Sequence, residues 1–174
     1  MRVDTMHGAR APHSTGRSTK SALKDELCAI LAADLSLRER AYRSAHEGAT
    51  HEEAKPENDK DTRALEQSYL ARGEAKRYEE SRSALAETEG IALRDFGPDD
   101  AAVLGALVTT EENGEEARVW LAPHGGGTRL AEGRVQVVTP KSPLGQALLG
   151  RRAGEECEVR LAGRLRTLTI VSVA

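Results

Sequence analysis

The sequence predicts an α+β protein in which a two-helix hairpin precedes a small β-rich domain with one short helix. Through the first half of the chain, apolar residues recur at three- and four-residue spacing, as in amphipathic helices. Beyond residue 100, short apolar/polar alternations are separated by turn residues, which favours antiparallel β-strands. We therefore expect a disordered arm over residues 1–17, a hairpin over residues 18–90 and a β domain over residues 91–174.

The first helix is predicted to begin at Ser18 or Thr19 and to weaken beyond residue 41. Gly48 and Pro56 bracket a polar segment that should interrupt it, because proline lacks a backbone N–H and clashes with the preceding turn. The apolar positions of this helix are Leu23, Leu27, Ile30 and Leu37, with Cys28, Leu31 and Leu35 beside them.

A second helix is predicted from Glu57 or Asn58 to Thr88. Its apolar residues follow a spacing of about 3.5 residues, which is the repeat of a coiled coil. Two such helices joined by a polar bend form an antiparallel hairpin. The positions on the stripe are Ala64, Ala71, Ala75, Tyr78 and Leu85, together with the polar Ser68 and Arg82.

The β domain is predicted to contain strands at residues 101–110, 117–122, 134–138, 156–161 and 165–173. Asn113-Gly114 supports a tight turn between the first two strands. A short helix is expected over residues 142–150. Ser142 can accept hydrogen bonds from its first turn, Pro143 suits the first helical position, and Gly150 suits the C-terminal cap.

Composition limits the compartment and the partners. The 174 residues are 39% hydrophobic and 30% charged, and they carry a net charge of −3, which argues against general coating of nucleic acids. No apolar run approaches the ~20 residues of a membrane span, and the N-terminus lacks the apolar core of a signal peptide. Cys28 and Cys157 lie far apart in different predicted domains. We therefore expect a cytoplasmic protein with no disulfide and no membrane partner.

Two motifs that could suggest a phosphate-binding or metal-binding site are explained without one. Gly125-Gly126-Gly127 lacks the Lys-Ser/Thr that a phosphate-binding loop requires, so it is interpreted as a hairpin connection. His46 and His51 are five residues apart around a bend, which is the wrong spacing for a pair of metal ligands on one helical face.

The polar bend is strongly acidic, and a charge cluster of this kind is usually a solvated loop. At the tip of a long hairpin, however, carboxylates can be carried into a site that a globular body could not enter. Carboxylate oxygens suit Mg²⁺, which takes one or two of them together with waters and phosphate oxygens. The acidic residues of the bend are Glu52, Glu53, Glu57, Asp59 and Asp61.

The segment from Ser142-Pro143-Leu144 to Leu149-Gly150 resembles the C-terminal domain of the Gre transcript-cleavage factors, GreA and GreB. The resemblance extends over residues 19–174. It implies an N-terminal coiled coil followed by an FKBP-like domain, and a protein that docks on bacterial RNA polymerase with its coiled coil in the secondary channel. It places Ser142, Pro143 and Leu144 at the polymerase contact, and it implies regulation of transcription and DNA binding.

In the Gre family the tip carries an Asp-x-Ser-Glu-Asn motif whose two acids help to hold the second catalytic Mg²⁺. Alignment through Ala64-Leu-Glu-Gln67, which is similar to the family's Ala-Arg-Glu-Gln, places Glu57 and Asn58 on the motif's Glu-Asn. The motif's Asp then falls on Ala54 and its Ser on Pro56, which departs from the family's pattern. The resemblance makes Glu57 the catalytic carboxylate, and Glu57, Asp59 and Asp61 the ligands of Mg²⁺ shared with polymerase.

These observations predict a monomeric elongation factor that stimulates the polymerase's own cleavage of backtracked RNA. The factor would have no cofactor of its own, would not itself be an enzyme, and would approach the 3′ end of the nascent RNA. One alternative is a Gre-like regulator or inhibitor that occupies the channel without cleavage. A second is an FKBP-like prolyl isomerase or chaperone, which would need an aromatic-lined pocket. A third is a free coiled-coil adaptor.

Overall fold

The computed structural model describes residues 14–50 and 62–174. Two long helices, α1 (Ser14–Thr50) and α2 (Thr62–Glu89), pack against each other. They are antiparallel, since Asp34 accepts a hydrogen bond from Ser81 (2.8 Å), whereas Tyr42, later in α1, stacks on Tyr78, earlier in α2. The predicted hairpin is therefore confirmed.

Two details of the first helix differ from the prediction. Helix α1 begins at Ser14, so residues 14–17, which were expected in the disordered arm, belong to the helix. Ile30 and Leu37, which were expected on the apolar stripe, are 42% and 58% exposed. The reason is that α1 buries two faces, one against the sheet and one against α2, so that no single stripe describes it.

On α2 the buried stripe follows an alternating spacing of four and three residues, as in a heptad repeat. Ser68 and Arg82, which the sequence placed on this stripe, are exposed. The interface side instead includes polar Gln67 and Ser81, together with the predicted Ala71, Tyr78 and Leu85. Of the predicted positions, Ala71, Ala75, Tyr78 and Leu85 are half-buried as expected, whereas Ser68 and Arg82 are each one residue away from the stripe.

The C-terminal domain is a six-stranded sheet in the order β3-β4-β2-β1-β6-β5. Helix α3 (Pro143–Leu148) lies between β4 and β5 in the chain, and the domain has the predicted α+β class. The strands are β1 (Leu107–Glu112), β2 (Glu115–Leu121), β3 (Arg129–Leu130), β4 (Val135–Val138), β5 (Glu156–Leu161) and β6 (Arg164–Val173).

The sheet is mixed, whereas the sequence predicted an antiparallel one. Strands β2 and β4 pair in parallel, with Val119 opposite Gln136. The two-residue β3, which the sequence analysis missed, lies antiparallel to β4 and turns the chain back before it pairs with β2. Residues 101–106, predicted as the start of the first strand, form a turn-rich segment in which Gly105 has a φ of +89°.

Successive side chains of each strand point to opposite faces of the sheet, and the apolar ones form a hydrophobic core on each face. Leu107 of β1 and Trp120 of β2 belong to the core beneath α1, and Leu23 and Leu27 of α1 complete it. On the opposite face, the neighbouring β1 and β2 positions pack with Leu148 of α3. The base of the hairpin and α3 therefore cover opposite faces of one sheet.

The last strand contains a β-bulge that explains its apolar pattern. Thr109 pairs with Ser172 and Thr110 pairs with Ile170, which leaves Val171 as the extra residue. Beyond the bulge the inward positions shift by one, so that Ile170 and Val173 are both buried while Val171 is 44% exposed. Within residues 14–50 and 62–174, no helix is long and apolar enough to cross a membrane.

Candidate functional site

The predicted carboxylates fall between the two hairpin helices in the chain. Helix α1 ends at Thr50 and α2 begins at Thr62, so Glu57, Asp59 and Asp61 lie outside the described residues. Their roles remain predictions. In the described part of the chain, no group of His, Cys, Asp and Glu side chains is arranged to hold a metal ion.

The described part of the hairpin extends well past the globular domain. Arg38 lines a cleft together with His124 of the domain, and α1 then continues through residues 39–50. At a rise of 1.5 Å per residue, that extension is about 18 Å long. Residues 51–61 therefore follow, in the chain, a helical arm that extends beyond the sheet.

The outer part of this arm is paired loosely. Small α1 side chains face α2 across a groove of about 350 Å³. Gln67 lines this groove, and its buried Oε1 has no hydrogen-bond partner among the described residues. Below the groove, Tyr42 and Tyr78 stack with their ring centroids 5.6 Å apart. The groove is lined by Ala41, Ser44, Ala45, Gly48, Gln67, Leu70 and Glu74.

The predicted docking residues occupy the first turn of α3. Ser142 caps the helix, because its Oγ accepts from Gly145 N (3.1 Å) and donates to the Thr139 carbonyl (2.8 Å). Pro143 is exposed at the first helical position, while Leu144 is half-buried against the core under α3. Of the three, Pro143 presents the most accessible side chain to a partner. Ser142 shapes the turn that holds it.

Gly145 is a further requirement of this turn that the sequence analysis did not identify. The residue is buried, and a Cβ atom at this position would lie 2.7 Å from the carbonyl carbon of Thr139. A Cβ atom does not approach another non-bonded carbon so closely, so one of the two would have to shift. The sequence does contain a signal for this requirement: a glycine stands between the Ser-Pro-Leu start of the six-residue helix and its apolar end.

Exposed apolar side chains border the other end of α3. Gly150 N donates to Ala102 O (2.8 Å) and Ala102 N donates to Arg151 O (2.7 Å), which fixes the 101–105 segment beside the helix. In that segment Val103 and Leu104 are 40% and 43% exposed.

The aromatic residues of the β domain do not form a ligand pocket. Trp120 is completely buried, and its Nε1 donates to Gly105 O (3.2 Å). Phe96 lies between the cationic groups of Lys20 and Arg94, which are 4.5 and 4.2 Å from its ring centroid. Both rings are therefore committed to internal contacts, which does not favour a prolyl isomerase site.

The two cysteines are poor candidates for chemistry. Burial raises the pKa of the Cys157 thiol, and burial together with the nearby Glu89 carboxylate raises the pKa of the Cys28 thiol. Both thiols are free. Because the thiolate is the reactive form, the raised pKa makes both thiols less reactive than an ordinary cysteine.

Comparison with known proteins identifies the C-terminal domain. Residues 97–174 match the family described as "Transcription elongation factor, GreA/GreB, C-term". No curated protein matches the chain.

Several solved structures are similar. GreA factor homolog 1 (Gfh1) of Thermus thermophilus is 16% identical over 92% of this chain and 96% of its own, with a TM-score of 0.38. Gfh1 of Thermus aquaticus is 17% identical over 83% and 91%, with a TM-score of 0.38. The transcription elongation factor GreA/GreB from Nitrosomonas europaea is 21% identical over 54% and 78%, with a TM-score of 0.36. On the strength of the family match, residues 97–174 of this chain belong to the GreA/GreB family as its C-terminal domain.

Proposed function

We propose that this protein is a transcription elongation factor of the GreA/GreB type, which binds RNA polymerase at the secondary channel and stimulates cleavage of backtracked transcripts. One observation carries the proposal. A GreA/GreB C-terminal domain is packed against the base of a two-helix hairpin whose far end leads into an acidic segment. This arrangement separates a docking body from a remote tip, as a factor acting inside a channel requires.

In this proposal the polymerase supplies the active site and the protein supplies carboxylates. Glu57, with Asp59 and Asp61, would contribute oxygen ligands to Mg²⁺ held jointly with polymerase, and the bound water would attack the RNA. The protein acts as a monomer without a cofactor of its own, and its tip lies near the 3′ end of the transcript. The α3 surface around Pro143 makes the docking contact.

Docking is tested by Pro143→Arg. The substitution places a long charged side chain on the exposed first turn of α3, where no backbone hydrogen bond is lost, because proline donates none. We expect the variant to fold like the parent and to bind polymerase at least about tenfold more weakly, since a misplaced charge at an interface costs more than 1 kcal/mol. Binding is measured by titration of labelled polymerase.

The matched control is Arg152→Glu, which changes charge on the exposed turn that follows α3 and leaves the first turn intact. Parental affinity of Pro143→Arg for polymerase would exclude the first turn of α3 from the contact.

A second candidate function is a channel-occupying regulator that does not stimulate cleavage. Ala54 and Pro56 favour it, because they stand where the family motif has an acid and a serine. A transcript-cleavage assay on a backtracked complex, with and without the protein, separates the two functions. Accelerated RNA shortening supports the elongation factor, whereas polymerase binding without shortening supports the regulator.

The role of these two positions is tested by the double substitution Ala54→Asp with Pro56→Ser. A second carboxylate shares the coordination of weakly held Mg²⁺, and removal of proline releases the constraint on Lys55. We expect the cleavage rate to rise about tenfold, which corresponds to about 1.4 kcal/mol of added transition-state stabilisation, with polymerase affinity unchanged. A fall in cleavage would mean that Glu53, Asp59 or Asp61 already forms a different working arrangement.

A further inference from the structure

A buried lysine lies at the junction between the hairpin and the globular domain. Lys20 of α1 is 1% exposed, although lysine is almost never fully buried without partners. Its Nζ donates to the backbone carbonyl of Arg94 and lies 4.5 Å from the centroid of the Phe96 ring. The ammonium group is therefore enclosed by α1 and by the segment that follows α2.

The same segment is held from two further directions. The Arg94 guanidinium lies 4.2 Å from the Phe96 centroid, and it also contacts Asp100 at 3.3 Å. One turn along α1 from Lys20, Lys24 Nζ donates to Ile91 O (3.0 Å). Two lysines on one helix thus bind two carbonyls of the 90–100 segment, which connects the hairpin to the sheet.

These contacts differ in kind from the apolar ones beside them. Leu23 and Leu27 pack against the sheet, and such contacts are non-directional, so that they permit small rotations of the helix. A desolvated ammonium that donates to a carbonyl and faces a ring has a narrow set of favourable positions. Moving α1 would leave a buried charge without partners, which is costly.

We propose that Lys20 is a positioning residue. Its ammonium, held between the Arg94 carbonyl and the Phe96 ring, fixes the direction of the hairpin relative to the α3 face of the domain. The consequence for transcription rests on the proposed function. Once α3 has docked on polymerase, a fixed hairpin direction would bring the tip to a defined position in the channel. The geometric part of the proposal concerns the free protein.

The direct test measures a distance across the junction. Spin labels are attached through Arg72→Cys on exposed α2 and Glu116→Cys on exposed β2, in a chain that also carries Cys28→Ala and Cys157→Ala. Pulsed electron paramagnetic resonance then gives the distance distribution. Lys20→Met keeps the apolar stem and removes the charge. We expect it to increase the population outside the parental distribution about tenfold, the shift produced by losing one desolvated cation–ring contact.

Two comparisons make the result specific. Lys76→Met removes an exposed lysine of α2 that contacts only Glu80 in the described structure, at 3.7 Å, and should leave the distribution unchanged. Phe96→Leu removes the ring from the other side of the contact and should broaden the distribution as Lys20→Met does. The effects of the two changes in the double variant should sum to less than additivity, because both single changes remove the shared Lys20–Phe96 contact.

A parental distribution in both Lys20→Met and Phe96→Leu would overturn the proposal. If Lys20→Met does not fold, Phe96→Leu alone decides the question. A broadened distribution with additive effects of the two changes would also overturn the pairing of Lys20 with Phe96.

The functional consequence is read from two separate quantities. In Lys20→Met the concentration of factor that gives half-maximal cleavage should stay near the parental value, because the α3 face is untouched. The maximal cleavage rate should fall in proportion to the loss of the aimed population that the distance distribution measures. Because the distances are measured without polymerase, failure of the elongation-factor proposal would leave the geometric result standing.

Discussion

Replacing Glu57 by glutamine is expected to abolish stimulated transcript cleavage while leaving polymerase binding near the parental level. The change preserves size and removes the negative charge, and a carboxylate that holds Mg²⁺ acts through that charge. We expect the rate of RNA shortening on a backtracked complex to fall at least about 100-fold, the usual loss when one charge-stabilising group leaves an active site. Binding should persist because the proposed docking surface around Pro143 lies on the β domain, away from Glu57 in the chain.

Glu66→Gln is the matched control, since it removes an exposed carboxylate from α2 outside the acidic segment. Its cleavage rate should equal that of the parent. Equal rates for Glu57→Gln and the parent would remove Glu57 from the mechanism and leave Asp59 and Asp61 as the proposed Mg²⁺ ligands. A parent that binds polymerase and never accelerates cleavage would favour the regulator.

Gly145→Ala is expected to destabilise the β domain by about 3 kcal/mol, the upper part of the range for forcing an extra carbon into a packed interior. The added Cβ would lie 2.7 Å from the Thr139 carbonyl carbon, and this carbonyl also accepts from Ser142. The first turn of α3 must therefore move, and the Ser142 cap with it. Urea denaturation measures the loss of stability. Weaker polymerase binding at temperatures where the variant is folded would show that the displaced turn carries the docking contact.

Gly73→Ala provides a control of opposite sign. Gly73 lies exposed in the interior of α2, and a Cβ there would meet nothing within 4 Å. Alanine should therefore raise the free energy of unfolding by up to about 1 kcal/mol, the difference in helix propensity. A Gly145→Ala variant as stable as the parent would mean that the Thr139 turn can open without cost.

The candidate site was predicted unevenly from the sequence. Ser142 was expected to cap α3 and does so, because capping depends on residues three positions apart and needs no tertiary information. The clash that requires Gly145 comes from Thr139, whose carbonyl is brought there by the end of β4 and the turn that follows. The buried position of Lys20 was also not predictable, since a lysine near the start of an amphipathic helix is normally solvated.

The sequence by itself determined the order of a helical hairpin and a β domain, the span of β5 at residues 156–161, and the cap and proline that begin α3. These features depend on periodicity and turn chemistry within a few residues. Only the tertiary structure decided the parallel pairing of β2 with β4, the bulge at Val171 and the two buried faces of α1. Each of these features arises where segments that are distant in the chain meet. A local residue pattern does not specify which other element the face of a helix or strand will pack against.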